Sequence, residues 1–320
     1  MEPVDNKRKR PKYSPGESLT VHFDCMAFGG RAKGSVEGAP PKIVSVFADG
    51  AAPGDIAKVS VISQKKSYVE ASLTEMVERG PDRIVPTCEY FGECGGCNWQ
   101  HISYQAQKRE KLSILEYILK RKGLLPKSPI DCIDALSPFG YRRRGDIVLM
   151  KKGKELYGGF RQAKSHQLVD IHRCPLLVQP LGDSIPAIKA GLAKLDLGDL
   201  PDNTPFKVRI LFDDGQQRVI VQSFNNGLLF SGQSKTFMLK DDRLQELDAS
   251  VMSYQVGDLN LKYHPLCFTQ VSPLMNQNLV DLVLKGLAPE KDDEILELYA
   301  GIGNFSLPLA GRVGSVTMVE

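Results

Sequence analysis

The sequence has no apolar run long enough to cross a bilayer, which takes ~18 residues. Its N-terminus is charged and lacks the apolar core of a signal peptide. Both absences predict a cytoplasmic protein. Cysteine is sparse: seven in 320 residues are too few for a disulfide scaffold, so a clustered subset in a reducing compartment points to metal. Net charge is only +3. Lys7, Arg8, Lys9, Arg10 and Lys12 against Glu2 and Asp5 supply all of it, so any other nucleic-acid signal has to be local. Residues 1–14 read as a disordered basic tail, either solvated or gripping RNA. No internal repeat is present. The remainder is ordinary: 42% hydrophobic and 25% charged residues, with a length that suits two or three domains.

Three of the cysteines are clustered. Cys88, Cys94 and Cys97 fall within ten residues, with Gly95 and Gly96 between the last two. The glycines let the backbone turn tightly enough for three sulfurs to approach one point. Cys174, in His172-Arg-Cys-Pro175, is the best candidate for a fourth ligand. Four thiolates around one soft centre mean zinc or an iron–sulfur cluster, and the spacing leaves both open. Cys25, Cys132 and Cys267 stand alone and read as buried structural thiols.

From about Pro15 to Leu73 the pattern is β. Leu19, Val21 and Phe23 alternate with Thr20 and His22, as in a half-buried strand. Strands are also predicted over 43–47, 56–62 and 68–73, with glycine-rich turns between them. Short strands at this spacing make a small barrel of about sixty residues. Ser103 caps a helix predicted over 104–122, with Gly123 just past its end. Leu112, Leu115, Ile118 and Leu119 form its apolar stripe, and the other side is basic.

Tyr141-Arg142-Arg143-Arg144 leads into a hairpin. Residues 142–164 hold eight basic and two acidic side chains. Neighbours on a strand face opposite sides, so three consecutive arginines cannot all reach solvent. At least one needs a phosphate or an internal acid. Phosphate contact is the favoured reading, which makes Arg142, Arg143 and Arg144 candidate RNA-binding residues. A second hairpin, 206–212 and 218–224, turning at 213–215, reads as structural.

Ser272-Pro273 opens a helix. A strand over 295–299 then runs into Gly301-Ile-Gly303-Asn304, and another strand, 315–319, ends on Glu320. Strand, Gly-x-Gly turn, helix, strand and terminal acid open a doubly wound nucleotide-binding fold. Glu320 lies nineteen residues after Gly301, within reach of ribose hydroxyls. The third motif glycine is replaced by Ser306. A dinucleotide would want that glycine so its pyrophosphate could rest on the helix N-terminus. S-adenosylmethionine carries no phosphate and is the favoured ligand, ahead of a dinucleotide or no ligand.

With these residues in place, the chain resembles the RNA uracil-5 methyltransferases, which make 5-methyluridine in ribosomal and transfer RNA. The resemblance rests on Cys88-x5-Cys94-Gly-Gly-Cys97 followed by Gln100 and His101, on His172-x-Cys174-Pro175, on Phe268-Thr-Gln270, and on Leu298-Tyr299-Ala-Gly301-Ile-Gly303-Asn304-Phe305. All occur in the family's order along nearly the whole chain. It implies an α/β multidomain protein. Residues 1–14 are the tail and 15–78 a TRAM-like, OB-like barrel. Residues 79–262 form a mainly-β central domain with the cluster, its helix 104–122 free to pack on the methyltransferase domain. Residues 263–320 begin a doubly wound class I methyltransferase domain. It further implies a 4Fe–4S cluster on Cys88, Cys94, Cys97 and Cys174, with zinc as runner-up. S-adenosylmethionine contacts would come from Gln270, Tyr299, Gly301, Gly303, Asn304 and Glu320. The implied activity is methyl transfer to C5 of a uridine, in rRNA rather than tRNA, by a monomer when complete.

Ser272, Tyr299 and Ala300 depart mildly from the family's usual asparagine, phenylalanine and cysteine. The family also continues for roughly another hundred residues beyond the equivalent of Glu320, because a doubly wound sheet needs more strands. That part carries the nucleophilic cysteine and general base. The expectation is therefore an incomplete chain with no catalytic residue of its own and no activity alone. The competing reading is a non-catalytic RNA-binding module carrying iron–sulfur or zinc.

Overall fold

The computed structural model describes residues 13–38, 44–195, 201–213, 216–221, 235–241, 243–247 and 251–320. The chain divides into two compact units, Met1–Cys132 and Ile133–Glu320. The basic tail lies outside the described residues apart from Tyr13 and Ser14.

In the first unit, β1 (Ser18–Met26), β2 (Ala32–Val36), β3 (Ser45–Asp49), β4 (Ile56–Gln64) and β5 (Tyr68–Glu78) close a barrel in the order β1-β2-β3-β5-β4. The alternation read from the sequence sends Leu19, Val21 and Phe23 inward, against Val46, Val59 and Val69. The β3–β5 pairing is parallel and completes the closure. Gly34 has no alternative, since a Cβ there would sit 2.2 Å from the His22 carbonyl oxygen.

Helix α1 (Tyr104–Arg121) starts where its cap predicts: the Ser103 hydroxyl accepts the Ala106 N–H. Its buried face differs from the expected stripe. Leu115 and Ile118 are exposed, and Ala106 and Glu110 are buried, with Ile114 packed on the barrel core. The cause is polar: the Glu110 carboxylate accepts the Met26 N–H at 2.8 Å, in place of a strand partner. The helix therefore packs on the barrel.

The expected boundary at 78/79 does not coincide with the division at 132/133. Residues 79–121 are bound to the barrel by specific hydrogen bonds. Asp55, fully buried, accepts from Ala52 N (2.6 Å), Gly80 N (2.8 Å) and Arg83 Nε (3.0 Å). His101 Nε2 meets the Ala51 carbonyl oxygen at 3.0 Å, and Trp99 Nε1 donates to Gly30 O at 2.9 Å.

The second unit contains β6 (Arg144–Lys152), β7 (Glu155–Arg161), β8 (Leu168–Asp170), the short helices α2 (Gln179–Asp183) and α3 (Ile185–Ala193), β9 (Pro205–Asp213), β10 (Gln216–Val221), β11 (Lys235–Lys240) and β12 (Arg243–Leu247). The strands form one sheet, ordered β12-β11-β10-β9-β6-β7-β8. Both expected hairpins are in it; the turn residues 214 and 215 and the end of the second hairpin, 222–224, lie outside the described residues. Helices α2 and α3 were not anticipated. Their one signal was a proline in the first turn of each, Pro180 and Pro186.

A hairpin, β13 (Met252–Val256) and β14 (Leu259–Tyr263), is followed by α4 (Pro273–Leu287), β15 (Glu294–Leu298), α5 (Ser306–Ala310) and β16 (Ser315–Val319). The expected central and methyltransferase segments share a core here: Leu211 and Ile220 pack with Tyr254, Leu261 and Val280. As predicted, β15 and β16 pair in parallel around a short helix. None of the helices, among the described residues, is long and apolar enough to cross a membrane.

Candidate functional site

A cavity of about 450 Å³ opens in the second unit where the Gly-x-Gly turn faces the segment 267–270. Strand β15 delivers the turn, and β16 brings Glu320 beside it. Five of the six residues expected from sequence line this one cavity: Gln270, Tyr299, Gly301, Asn304 and Glu320. Cys267, Phe268 and Tyr254 also line it; Cys267 and Phe268 adjoin the expected Gln270, and Tyr254 was not anticipated.

Tyr299 sits at φ 58°, unusual for a residue with a side chain, and is 90% exposed. Such a conformation costs on the order of 1–3 kcal/mol and persists where it places a group for use. Here it holds an aromatic face at the cavity mouth. Gly301 N donates to Glu320 Oε2 at 2.7 Å, which leaves Oε1 for a ligand. The Ser306 hydroxyl donates to Glu297, securing the first turn of α5 to β15.

Gly303 is a correction of role. It is not among the lining residues; it sits behind the turn at φ 81°, and a Cβ would lie 2.9 Å from Leu307 Cγ and 3.1 Å from Met318 Cε. Gly303→Val is expected to cost about 1–3 kcal/mol, read as a lower melting temperature.

The opposite wall is held by arginines, among them two of the three expected to contact RNA. Arg143 is 2% exposed and is not available to a phosphate. Its Nη1 pairs with Asp213 Oδ1 at 3.0 Å, and its Nε donates to the Gln270 carbonyl at 3.1 Å. Its guanidinium lies 4.0 Å from the centre of the Tyr254 ring. Asp213 in turn accepts from the Tyr263 hydroxyl; burial first, then this acid, pushes the Tyr263 pKa far up. Arg144, half-buried, donates to the Cys267 carbonyl at 3.0 Å and lies over the Phe268 ring. Arg209, on β9, donates to the Leu266 carbonyl at 3.0 Å and pairs with Asp146. The alternation rule required one inward arginine; it is Arg143, the residue just before β6. Arg142 is half-buried, with Nε enclosed and lacking a hydrogen-bond partner among the described residues.

Cys88, Cys94 and Cys97 are half-buried on the loop between β5 and α1, in the first unit. Cys174 is half-buried in the second unit, between β8 and α2. Among the described residues no group of three or more His, Cys, Asp or Glu side chains is disposed to hold a metal ion. The cysteine loop does carry one pointer. Gln100, 8% exposed, accepts the Cys88 N–H through Oε1 at 3.1 Å, while its buried Nε2 lacks a hydrogen-bond partner among the described residues. Of the solitary cysteines, Cys25 is half-buried, as a structural thiol should be, and burial raises its pKa. Cys132 is exposed instead, because it lies in the irregular segment after α1. Cys267 is in the cavity wall.

A family model described as tRNA (Uracil-5-)-methyltransferase matches residues 212–320. The chain is 34% identical over 286 residues to the 23S rRNA (uracil(1939)-C(5))-methyltransferase RlmD of Marinomonas posidonica, covering 86% of this chain and 64% of that protein. The RlmD of Pectobacterium carotovorum is 32% identical over 320 residues, covering 97% of this chain and 70% of that one. For Methylococcus capsulatus the identity is 31%, over 98% of this chain and 73% of its relative. The chain thus spans 64% of the length of the Marinomonas relative. Among solved structures it is similar to the Pyrococcus abyssi tRNA (uracil-54, C5)-methyltransferase in complex with S-adenosyl-L-homocysteine. The TM-score is 0.60 at 21% identity, over 91% of this chain and 70% of that chain, a likeness of fold.

Proposed function

The chain belongs to the RNA uracil-5-methyltransferase family, and from that premise we propose that it serves methyl transfer from S-adenosylmethionine to C5 of a uridine in RNA. One observation carries the proposal: Gln270 and Glu320 meet Tyr299, Gly301 and Asn304 of the glycine turn on one cavity. A purely RNA-binding module would have no use for it. The Tyr299 ring stacks on the ligand, the Gln270 amide offers a paired donor and acceptor, and Glu320 accepts from ribose hydroxyls.

The chemistry follows from uracil. Its C5 is a poor nucleophile until a thiolate adds to C6 and makes C5 enolate-like. C5 then takes the methyl carbon, the sulfonium S–CH3 bond breaks, and S-adenosylhomocysteine departs. A base removes the C5 proton, and the C6–S bond breaks to return the thiolate. The target base leaves its stack to enter. None of the seven cysteines of this chain is assigned as that thiolate.

Ribosomal RNA is the favoured substrate, since the relatives above are named for it, and this substrate places the protein in the cytoplasm. The barrel serves as a TRAM-type RNA-binding domain. Arg142 and Arg144 remain the arginines of the basic strand able to reach RNA. Cys88, Cys94, Cys97 and Cys174 would be the ligands of a 4Fe–4S cluster, as the family resemblance implies. The chemistry of four thiols fits such a group, and the buried Gln100 N–H beside Cys88 suits an acceptor sulfur. When bound, the cluster supplies a rigid support for RNA positioning.

Two measurements test this. Labelled S-adenosylmethionine is supplied with unmodified ribosomal and transfer RNA. Binding of S-adenosylhomocysteine is expected, since the cavity residues are in place, and its absence would overturn the cofactor site; label at uridine C5 would assign the thiolate to one of the seven cysteines. Anaerobically purified protein should be brown, and Cys97→Ser colourless; a colourless, zinc-containing parent would sink the iron–sulfur assignment.

A further inference from the structure

Asn304 reaches the cavity with its amide already engaged. Its Oδ1 accepts from the Tyr254 hydroxyl at 3.0 Å and from Asn276 Nδ2 at 2.9 Å. Its Nδ2 donates back to Asn276 Oδ1, also at 2.9 Å. An amide oxygen has two lone pairs and an amide nitrogen two N–H groups. Both lone pairs are therefore taken, and one N–H is left for the cavity that Asn304 lines.

Two amides paired reciprocally can flip together and exchange oxygen for nitrogen at no loss. Tyr254 breaks that symmetry. The Arg143 guanidinium, 4.0 Å from the ring centre, is a permanent cation on the phenol's face. It draws electron density from the ring and makes the hydroxyl a donor rather than an acceptor. Burial pushes the Tyr254 pKa up, against the pull of Arg143, so the hydroxyl keeps its proton. A hydroxyl that donates requires the amide oxygen on its side. Neither support can turn away. Arg143 is held by Asp213 and the Gln270 carbonyl. Asn276 is 2% exposed and sits one turn into α4, where its N–H bonds the Ser272 carbonyl.

We propose that Arg143, Tyr254 and Asn276 are positioning residues that set the Asn304 amide with its oxygen inward and a single N–H toward the cavity. That point of the cavity then takes an acceptor oxygen of the ligand and rejects its ammonium group, which can only donate. The inference rests on the cavity being the S-adenosylmethionine site. The acceptor oxygen belongs to either the ligand's carboxylate or its ribose.

The test is the affinity for S-adenosylhomocysteine of the purified protein, Tyr254→Phe, Asn304→Ala and the double variant. Tyr254→Phe keeps the ring and the stack and removes only the hydroxyl, so the fold is retained. It is expected to weaken binding about tenfold, as loss of one buried hydrogen bond and the orientation it sets. In the Asn304→Ala background the same change should cost nothing further, because Tyr254 acts through Asn304. A second tenfold loss in the double variant would overturn the relay. An unchanged affinity in Tyr254→Phe would do the same while leaving the cofactor site standing. No binding by the unsubstituted protein would remove both readings. Repeating the series with 5′-methylthioadenosine, which has the ribose but no carboxylate, identifies the oxygen. A retained Tyr254→Phe effect assigns the ribose, and a vanished one the carboxylate.

Discussion

Arg143→Ala is expected to destabilise the protein by about 3–5 kcal/mol, the cost of leaving a buried charge without its partner. Asp213, 7% exposed, loses its guanidinium. The Gln270 carbonyl loses a donor, and the Tyr254 ring loses the cation above it. The melting temperature, followed by calorimetry, should fall by on the order of 10 °C. Arg143→Lys should recover little, since an ammonium can neither span Asp213 and Gln270 together nor stack on the ring. Arg144→Ala removes one hydrogen bond, to Cys267, and should cost about 1 kcal/mol. The opposite pattern, an unchanged melting temperature and weakened RNA binding in Arg143→Ala, would return that residue to the RNA-facing surface and refute its inward role.

Asp55→Asn should destabilise the barrel unit by a similar amount, about 3–5 kcal/mol, and should also remove an acid sensitivity. The Asp55 carboxylate is fully buried. Burial alone would raise its pKa, but hydrogen bonds from Arg83, Gly80 and Ala52 outweigh burial and hold it below the ordinary carboxylate range. A group whose pKa is depressed in the folded state stabilises fully above its unfolded value, about 3.9. That contribution is lost as pH falls through the lower, folded value. Stability should therefore be level from neutral pH to about 4 and drop below it. The variant should begin low and show a shallower drop. The single tryptophan, Trp99, is bonded to the barrel through Gly30 O, so its fluorescence reports this unit directly. A parent barrel whose melting is independent of pH between 5 and 2 would show that the Asp55 network contributes nothing.

The cysteine loop and the arginine run show where sequence reasoning stops. The spacing of Cys88, Cys94 and Cys97 names a thiol site, because three soft ligands on a glycine-bearing loop have few other uses. It cannot say how the sulfurs stand to one another. Three arginines in a row announce that one must turn inward, since strand neighbours alternate. Which one depends on Asp213, seventy residues away. The apolar stripe of α1 misled for the same reason. Periodicity counts hydrophobic residues, whereas the docking of this helix is set by Glu110 meeting a distant N–H at Met26.

By itself the sequence determined what neighbouring residues decide. This includes the strand alternation of β1, the serine caps of α1 and α4, the parallel β15–β16 opening, the glycine turn, and the residue types that a ligand with a ribose would need. These follow from backbone geometry and side-chain period, which act over a few residues. Tertiary structure alone decided which side chains meet: Arg143 with Gln270 across 127 positions, Tyr254 with Asn304 across 50, and Asn276 with Asn304 across 28. Each meeting depends on how strands and helices pack around a shared core. A hydrogen bond needs its two atoms within about 3 Å, and separation along the chain carries no information at that scale.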